Sequence, residues 1–171
     1  MDKILYYPEF VTATIYQWYP LLTKNEYKQI ILESLQYLVR NNRIILYAYC
    51  IMDTHIHLIW QIKGDRLPSE VRRDFFRFTA LKFKKNLLTT DSERLSHFRA
   101  TQSDRTYQFW ERNTLCVDLF TDKVFDQKLD YIHNNPVAAG ICVYPEEYEY
   151  SSASFYLNAQ DKYEMLSHAN G

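Results

Sequence analysis

The chain has 171 residues, 47% of them apolar, and 20 Lys and Arg against 21 Asp and Glu give a formal net charge of −1. That is enough sequence for one domain with a real core. The neutral balance excludes a polycation, so any nucleic-acid surface must be local. With three glycines and three widely spaced cysteines (Cys50, Cys116, Cys142) in no CxxC pattern, linker-like chains and thiolate metal or redox motifs are excluded as well.

The N-terminal stretch MDKILYYPEF lacks the shape of a signal peptide. The longest apolar run, 44–52, is too short to cross a bilayer, so a soluble cytoplasmic protein with no membrane partner is expected. FVTATIYQW (10–18) alternates and is rich in β-formers, which predicts a strand broken by Pro20. Thr23-Lys24-Asn25-Glu26 has the form of a capping box. Tyr27, Ile30, Ile31, Leu35 and Leu38 then recur at helical spacing, predicting a helix that ends near Asn41-Asn42. RIILYAYCIM (43–52) and HIHLIWQIK (55–63) read as two strands joined by a tight turn at Asp53-Thr54. Pro68-Ser69-Glu70 opens a second helix running to about Leu88. Residues 89–108 are polar and loop-like, either mobile or functional. FWERNTLCVDLF (109–120) fits a fourth strand or an irregular edge, and a third helix is expected over 122–135, stopped by Pro136. This order predicts an α+β, ferredoxin-like sandwich, in which an antiparallel sheet carries helices on one face. The third, C-terminal helix would bear Tyr131. One domain over 1–171 is expected, with its core at about 10–156 and a tail at 157–171.

In a strand, residues i and i+2 share a face, so His55 and His57 stand side by side with Ile56 turned away. Imidazoles so placed can ligate one divalent metal. Taken alone, the pair reads more readily as two histidines on a half-solvated sheet face. KLDYIHNNPVAAG (128–140) alters that balance. Tyr131 and Asn135 are four apart on one helix face, and His133 points elsewhere.

THIHLIW resembles the histidine–hydrophobic–histidine motif of the single-strand, one-tyrosine transposases. DYIHNNPVAAGICVYPEEYEYSSASFY is similar to the C-terminal signature of their REP-associated branch, and Phe109-Trp110-Glu111 resembles a short block between the two. The resemblance runs from about residue 10 to 156. It implies metal-dependent cleavage and rejoining of single-stranded DNA through a 5′-phosphotyrosine, with His55 and His57 as metal ligands and Tyr131 as nucleophile. Asn135 falls where relatives place a third, polar ligand, although it could equally cap the helix end. A phenol, with its ordinary pKa of about 10, leaves far more readily than an alkoxide, so the strand can be resealed without ATP. Imidazole ligation suits Mn²⁺ better than Mg²⁺, and the family is described as using either.

The charge missing overall is gathered in VRRDFFRFTALKFKKNLL (71–88). Arg73, Arg77 and Lys84 fall on one stripe, and with Arg72, Lys82 and Lys85 they form the expected surface for single-stranded or hairpin DNA. A solvated basic face is the bland account of the same helix. Residues 89–108 add Arg94, His97, Arg99 and Arg105, which could clamp a hairpin. Related transposases often pair, so a homodimer is one expectation. The rival reading is a domesticated protein that binds hairpin DNA without cutting it. A two-histidine phosphoesterase would need two H-x-T/S motifs, and none is present.

Overall fold

The computed structural model, which describes residues 6–169, contains four strands. These are β1 (Glu9–Thr14), β2 (Ile44–Ile51), β3 (His55–Ile62) and β4 (Leu115–Asp118). They pair antiparallel in the order β2-β3-β1-β4. Helix α1 (Asn25–Arg40) connects β1 to β2, and α2 (Pro68–Thr90) lies between β3 and β4. This is the ferredoxin-like α+β arrangement expected from the chain order.

The period of two sends alternate residues to different cores. Val11, Ala13, Ile56, Leu58, Trp60 and Ile62 face α1 and α2, which contribute Tyr27, Ile31, Leu35, Phe75, Phe83 and Leu87. Phe10, Ala48, Cys50 and Ile59 face the other way, onto Phe125 and Ile132 of α4 (Asp122–Ala138). A register shift between Leu46 and Ala48 puts the consecutive Tyr47 and Ala48 of β2 both on this second side. The helix bearing Tyr131 therefore covers the face that α1 and α2 leave open.

Several boundaries differ from expectation. The first strand stops at Thr14 because Gln17 and Trp18 both adopt φ of 55°, turning the chain before Pro20 is reached. Thr23 does not cap α1. It lies in a 3-10 turn, Lys24 occupies the cap position, and no side chain caps the helix there. Residues 89–108 are not all loop: α2 continues to Thr90, α3 spans Ser92–Ser96, and Phe98 is fully buried against Phe109 with ring centroids 4.6 Å apart. Pro136 does not end α4. It forfeits only its own N–H near the helix end, and the stop comes at Gly140, φ 73°. There the Gly140 N–H bonds Val137 O and the Ile141 N–H bonds Pro136 O, both at 2.9 Å, in a Schellman closure.

The tail also has order. α5 (Ala153–Asn158) leads into it, and isolated bridges pair Ser151, just before that helix, with Cys50 and Leu166 of the tail itself with Leu46, covering the outer edge of β2. No described helix is long and apolar enough to cross a membrane.

Candidate active site

The register of the sheet decides what surrounds the histidine pair. β1 lies antiparallel to β3, so Thr12 stands opposite His57 and Thr14 opposite His55. Thr12 Oγ1 is 2.8 Å from His57 Nδ1, and Thr54 Oγ1 is 3.0 Å from His55 Nδ1. The two rings sit 4.8 Å apart. The turn before them is tied down from α1, since the buried Lys28 ammonium bonds Asp53 Oδ1 at 3.1 Å and lies 4.7 Å over the Tyr150 ring. Ile15 N–H to Thr54 O (2.8 Å) anchors the same turn to the end of β1.

α4 brings Tyr131 and Asn135 to this point. The Tyr131 ring is 5.3 Å from that of His57, and Asn135 Nδ2 is 3.2 Å from His57 Nε2. An amide N–H donating to Nε2 leaves the ring proton on Nδ1, where it donates to Thr12. Burial, helped by the neighbouring His55 and Lys128, pushes His57 down to about 3. Burial also lowers His55, opposed by its hydrogen bond with Asn135. Both imidazoles are thus neutral near pH 7, the form that ligates metals. Because α4 runs on to Ala138, Asn135 is an interior helical residue and not a cap.

Among the described residues no group of three or more His, Cys, Asp and Glu could hold a metal. An ion here would need a neutral oxygen beside the two imidazoles. Turning the Asn135 amide over would present Oδ1 in that direction, so His55, His57 and Asn135 are the side chains that could hold a divalent ion. Tyr131 is half exposed and borders a cleft of about 600 Å³ with Gln127, Asp130, Asn134 and Tyr156. Lys128, one turn before it, holds its ammonium 4.7 Å over the Phe10 ring and 5.8 Å from the Tyr131 centroid. Among the described residues it has no carboxylate partner. His133 points away, as its helical position implied. Its Nε2 is 2.8 Å from Ser152 Oγ, and burial pushes it down to about 4.

Phe109-Trp110-Glu111 joins the two halves of the molecule. Phe109 stacks on Phe98, Trp110 Nε1 donates to Thr79 Oγ1 at 3.0 Å, and the Glu111 N–H bonds Thr14 O at 2.8 Å. Glu111 Oε1 also accepts the Gln17 N–H at 2.6 Å, which holds the left-handed turn through Gln17 and Trp18. Each such residue costs about 1 kcal/mol or more.

The basic residues of α2 lie across the sheet from this cluster and divide among themselves. Arg73, Arg77 and Lys84 line a groove of about 760 Å³, whose other wall includes Arg105, Arg112 and Glu111. Lys82 and Lys85 are exposed, with Lys82 5.4 Å over the Phe78 ring. Arg72 is engaged internally: its guanidinium donates to the buried Glu9, which also accepts from Trp60 Nε1 at 3.1 Å. Thr12, Thr54, Trp18 and Lys128 escaped the sequence reading. Only Lys128, one helical turn from Tyr131, carried a signal that could have found it.

No family model matches the chain, and no curated protein matches it. Among solved structures, the REP-associated tyrosine transposase bound to a REP hairpin is similar, with a TM-score of 0.64 at 16% identity over 94% of this chain and 86% of that one. A protein of Deinococcus radiodurans R1, provisionally described as a transposase, gives 0.50 at 12% identity over 78% of this chain and 91% of that one. At such identities the likeness is one of backbone. In its fold, the chain is built like a REP-associated tyrosine transposase.

Proposed function

We propose that the protein is a metal-dependent DNA strand transferase that cleaves and rejoins single-stranded DNA beside a hairpin, with Tyr131 as the attacking group. The observation that carries this reading is convergence: the His55 and His57 rings lie 4.8 Å apart, the half-exposed Tyr131 ring lies 5.3 Å from His57, and the Asn135 amide reaches His57 Nε2 at 3.2 Å. The hairpin in the neighbouring structure supports the choice of DNA.

In this mechanism Tyr131 Oη forms a bond to phosphorus as the bond to the 3′ oxygen breaks. The phenol proton leaves to solvent, and the departing oxygen gains one from water. Reversal by a 3′-hydroxyl reseals the strand, so one hard displacement becomes two easier ones. His55, His57 and Asn135 would hold a Mg²⁺ or Mn²⁺ ion, whose chemistry when bound is to polarise the phosphate and stabilise its developing charge. Thr12 and Thr54 orient the two imidazoles from behind. Lys128 adds a second positive charge beside the Tyr131 ring, and no protein carboxylate among the described residues neutralises it. The groove along α2, with Arg73, Arg77 and Lys84, would carry the DNA backbone, whereas Arg72 is left to its buried carboxylate.

Incubation with single-stranded hairpin oligonucleotides and Mn²⁺ tests the reading. A covalent protein–DNA adduct that is lost in Tyr131→Phe is expected. Tight binding without an adduct would instead favour a hairpin-binding module.

A further inference from the structure

Trp18 stands at the rim of the imidazole pair. Its indole is 63% exposed and lies edge-on to His55, with ring centroids 5.8 Å apart. The other two tryptophans behave differently. Trp60 and Trp110 are buried, and their Nε1 atoms donate to Glu9 and Thr79. Among the described residues the Trp18 indole nitrogen has no hydrogen-bond partner.

The backbone beneath it is strained on its behalf. Gln17 and Trp18 both have φ of 55°, a region that residues bearing side chains avoid. The Glu111 carboxylate on the Gln17 N–H and the Trp18 N–H to Ile15 O bond (2.9 Å) hold the chain there. Strain of this kind persists where surrounding structure over-determines it, and it clusters at functional sites. Ring neighbours then run in the order Trp18, His55, His57, Tyr131. Trp18 and the phenol therefore flank the imidazole pair from its two ends.

We propose that Trp18 is a stacking platform for an unpaired nucleobase, the one adjoining the phosphate held at the imidazole pair on the side away from Tyr131. The assignment rests on the strand-transferase reading and deepens it. Catalysis would then require single-stranded DNA at that step, since a base held in a duplex cannot lie on the indole. Base–aromatic stacking tolerates every base, so Trp18 would select for strandedness and not for sequence.

The full-length protein supplies its own reporter, because Trp18 is the exposed one of three tryptophans. A hairpin oligonucleotide with a single-stranded flank is titrated while tryptophan emission is followed, then again with one abasic site moved stepwise along the flank. Binding should quench the emission. Trp18→Ala should weaken binding roughly 5- to 150-fold, the range of one base–aromatic stack, and Trp18→Phe should restore most of it. At one flank position the abasic substitution should cost the wild type the same factor and cost Trp18→Ala nothing. Equal abasic penalties in both proteins at every position, or unweakened binding by Trp18→Ala, would overturn the platform and leave the transferase reading intact. If the wild type bound no oligonucleotide and formed no adduct, both would fall.

Discussion

Thr12→Val isolates the support behind the histidine pair. Valine keeps the branched shape that suits β1 but removes the oxygen 2.8 Å from His57 Nδ1. His57 is 2% exposed, and the Asn135 amide occupies its other nitrogen. The variant therefore leaves a buried N–H with no acceptor. Such a group costs about 1–3 kcal/mol, which urea denaturation of the metal-free protein should read as lowered stability. The second effect is on ligation. Losing the partner that orients a ligating imidazole weakens metal affinity by about 10- to 100-fold, or about 1.4–2.7 kcal/mol. Single-turnover adduct formation followed against Mn²⁺ concentration should show the half-saturation point moved up by that factor. The rate at saturating Mn²⁺ should stay within a few-fold of wild type, because no reacting group has been touched. A Mn²⁺ titration that superposes on the wild type would refute the role given to Thr12, and with it the tautomer assigned to His57.

Arg73→Ala combined with Arg77→Ala should weaken oligonucleotide binding, and it should flatten the slope of log K against log salt by about 1.4, two phosphate contacts at about 0.7 each on a single strand. Fluorescence anisotropy at several salt concentrations measures this, and an unchanged slope would place the DNA elsewhere. His133 makes stability pH-dependent. Its folded pKa, about 4, lies below the ordinary value of 6.5, so the unfolded chain binds the proton first. Its contribution is complete above about pH 6.5 and is lost as pH falls toward 4. Between pH 7 and 5 the loss is about 2 kcal/mol. Denaturation curves of His133→Asn should show a shallower decline over that window.

The parts of the molecule read from periodicity came through with little change. Apolar runs rich in β-formers on either side of Asp53-Thr54 marked β2 and β3, a 3.6-residue repeat marked α1, Pro68-Ser69-Glu70 marked the start of α2, and the i,i+2 and i,i+4 rules put His55 beside His57 and Tyr131 on the face of Asn135. Pairing register is another matter. That Thr12 meets His57 depends on how far β1 slides along β3, and one strand's sequence does not encode its partner's offset. Pro136 misled because a proline near a helix end forfeits one hydrogen bond, which the packing of Ile132 and Phe125 outweighs. The Gln17–Trp18 turn was hidden because residues with side chains seldom adopt that conformation. It is imposed from 94 residues away, by Glu111 on Gln17. The tail's pairing with β2 is likewise a long-range contact with no local mark.

The sheet is a party wall. Ile56 looks into one room and His57 into the other, so a slip of β3 by a single residue would both push imidazoles into the oily side and expel isoleucine onto the chemistry. Alignment of the reactive residues is thereby guarded by the same burial that keeps the protein folded. Drift that loosens the pair must first break the larger core, and a variant that still folds cooperatively will carry its two histidines in place.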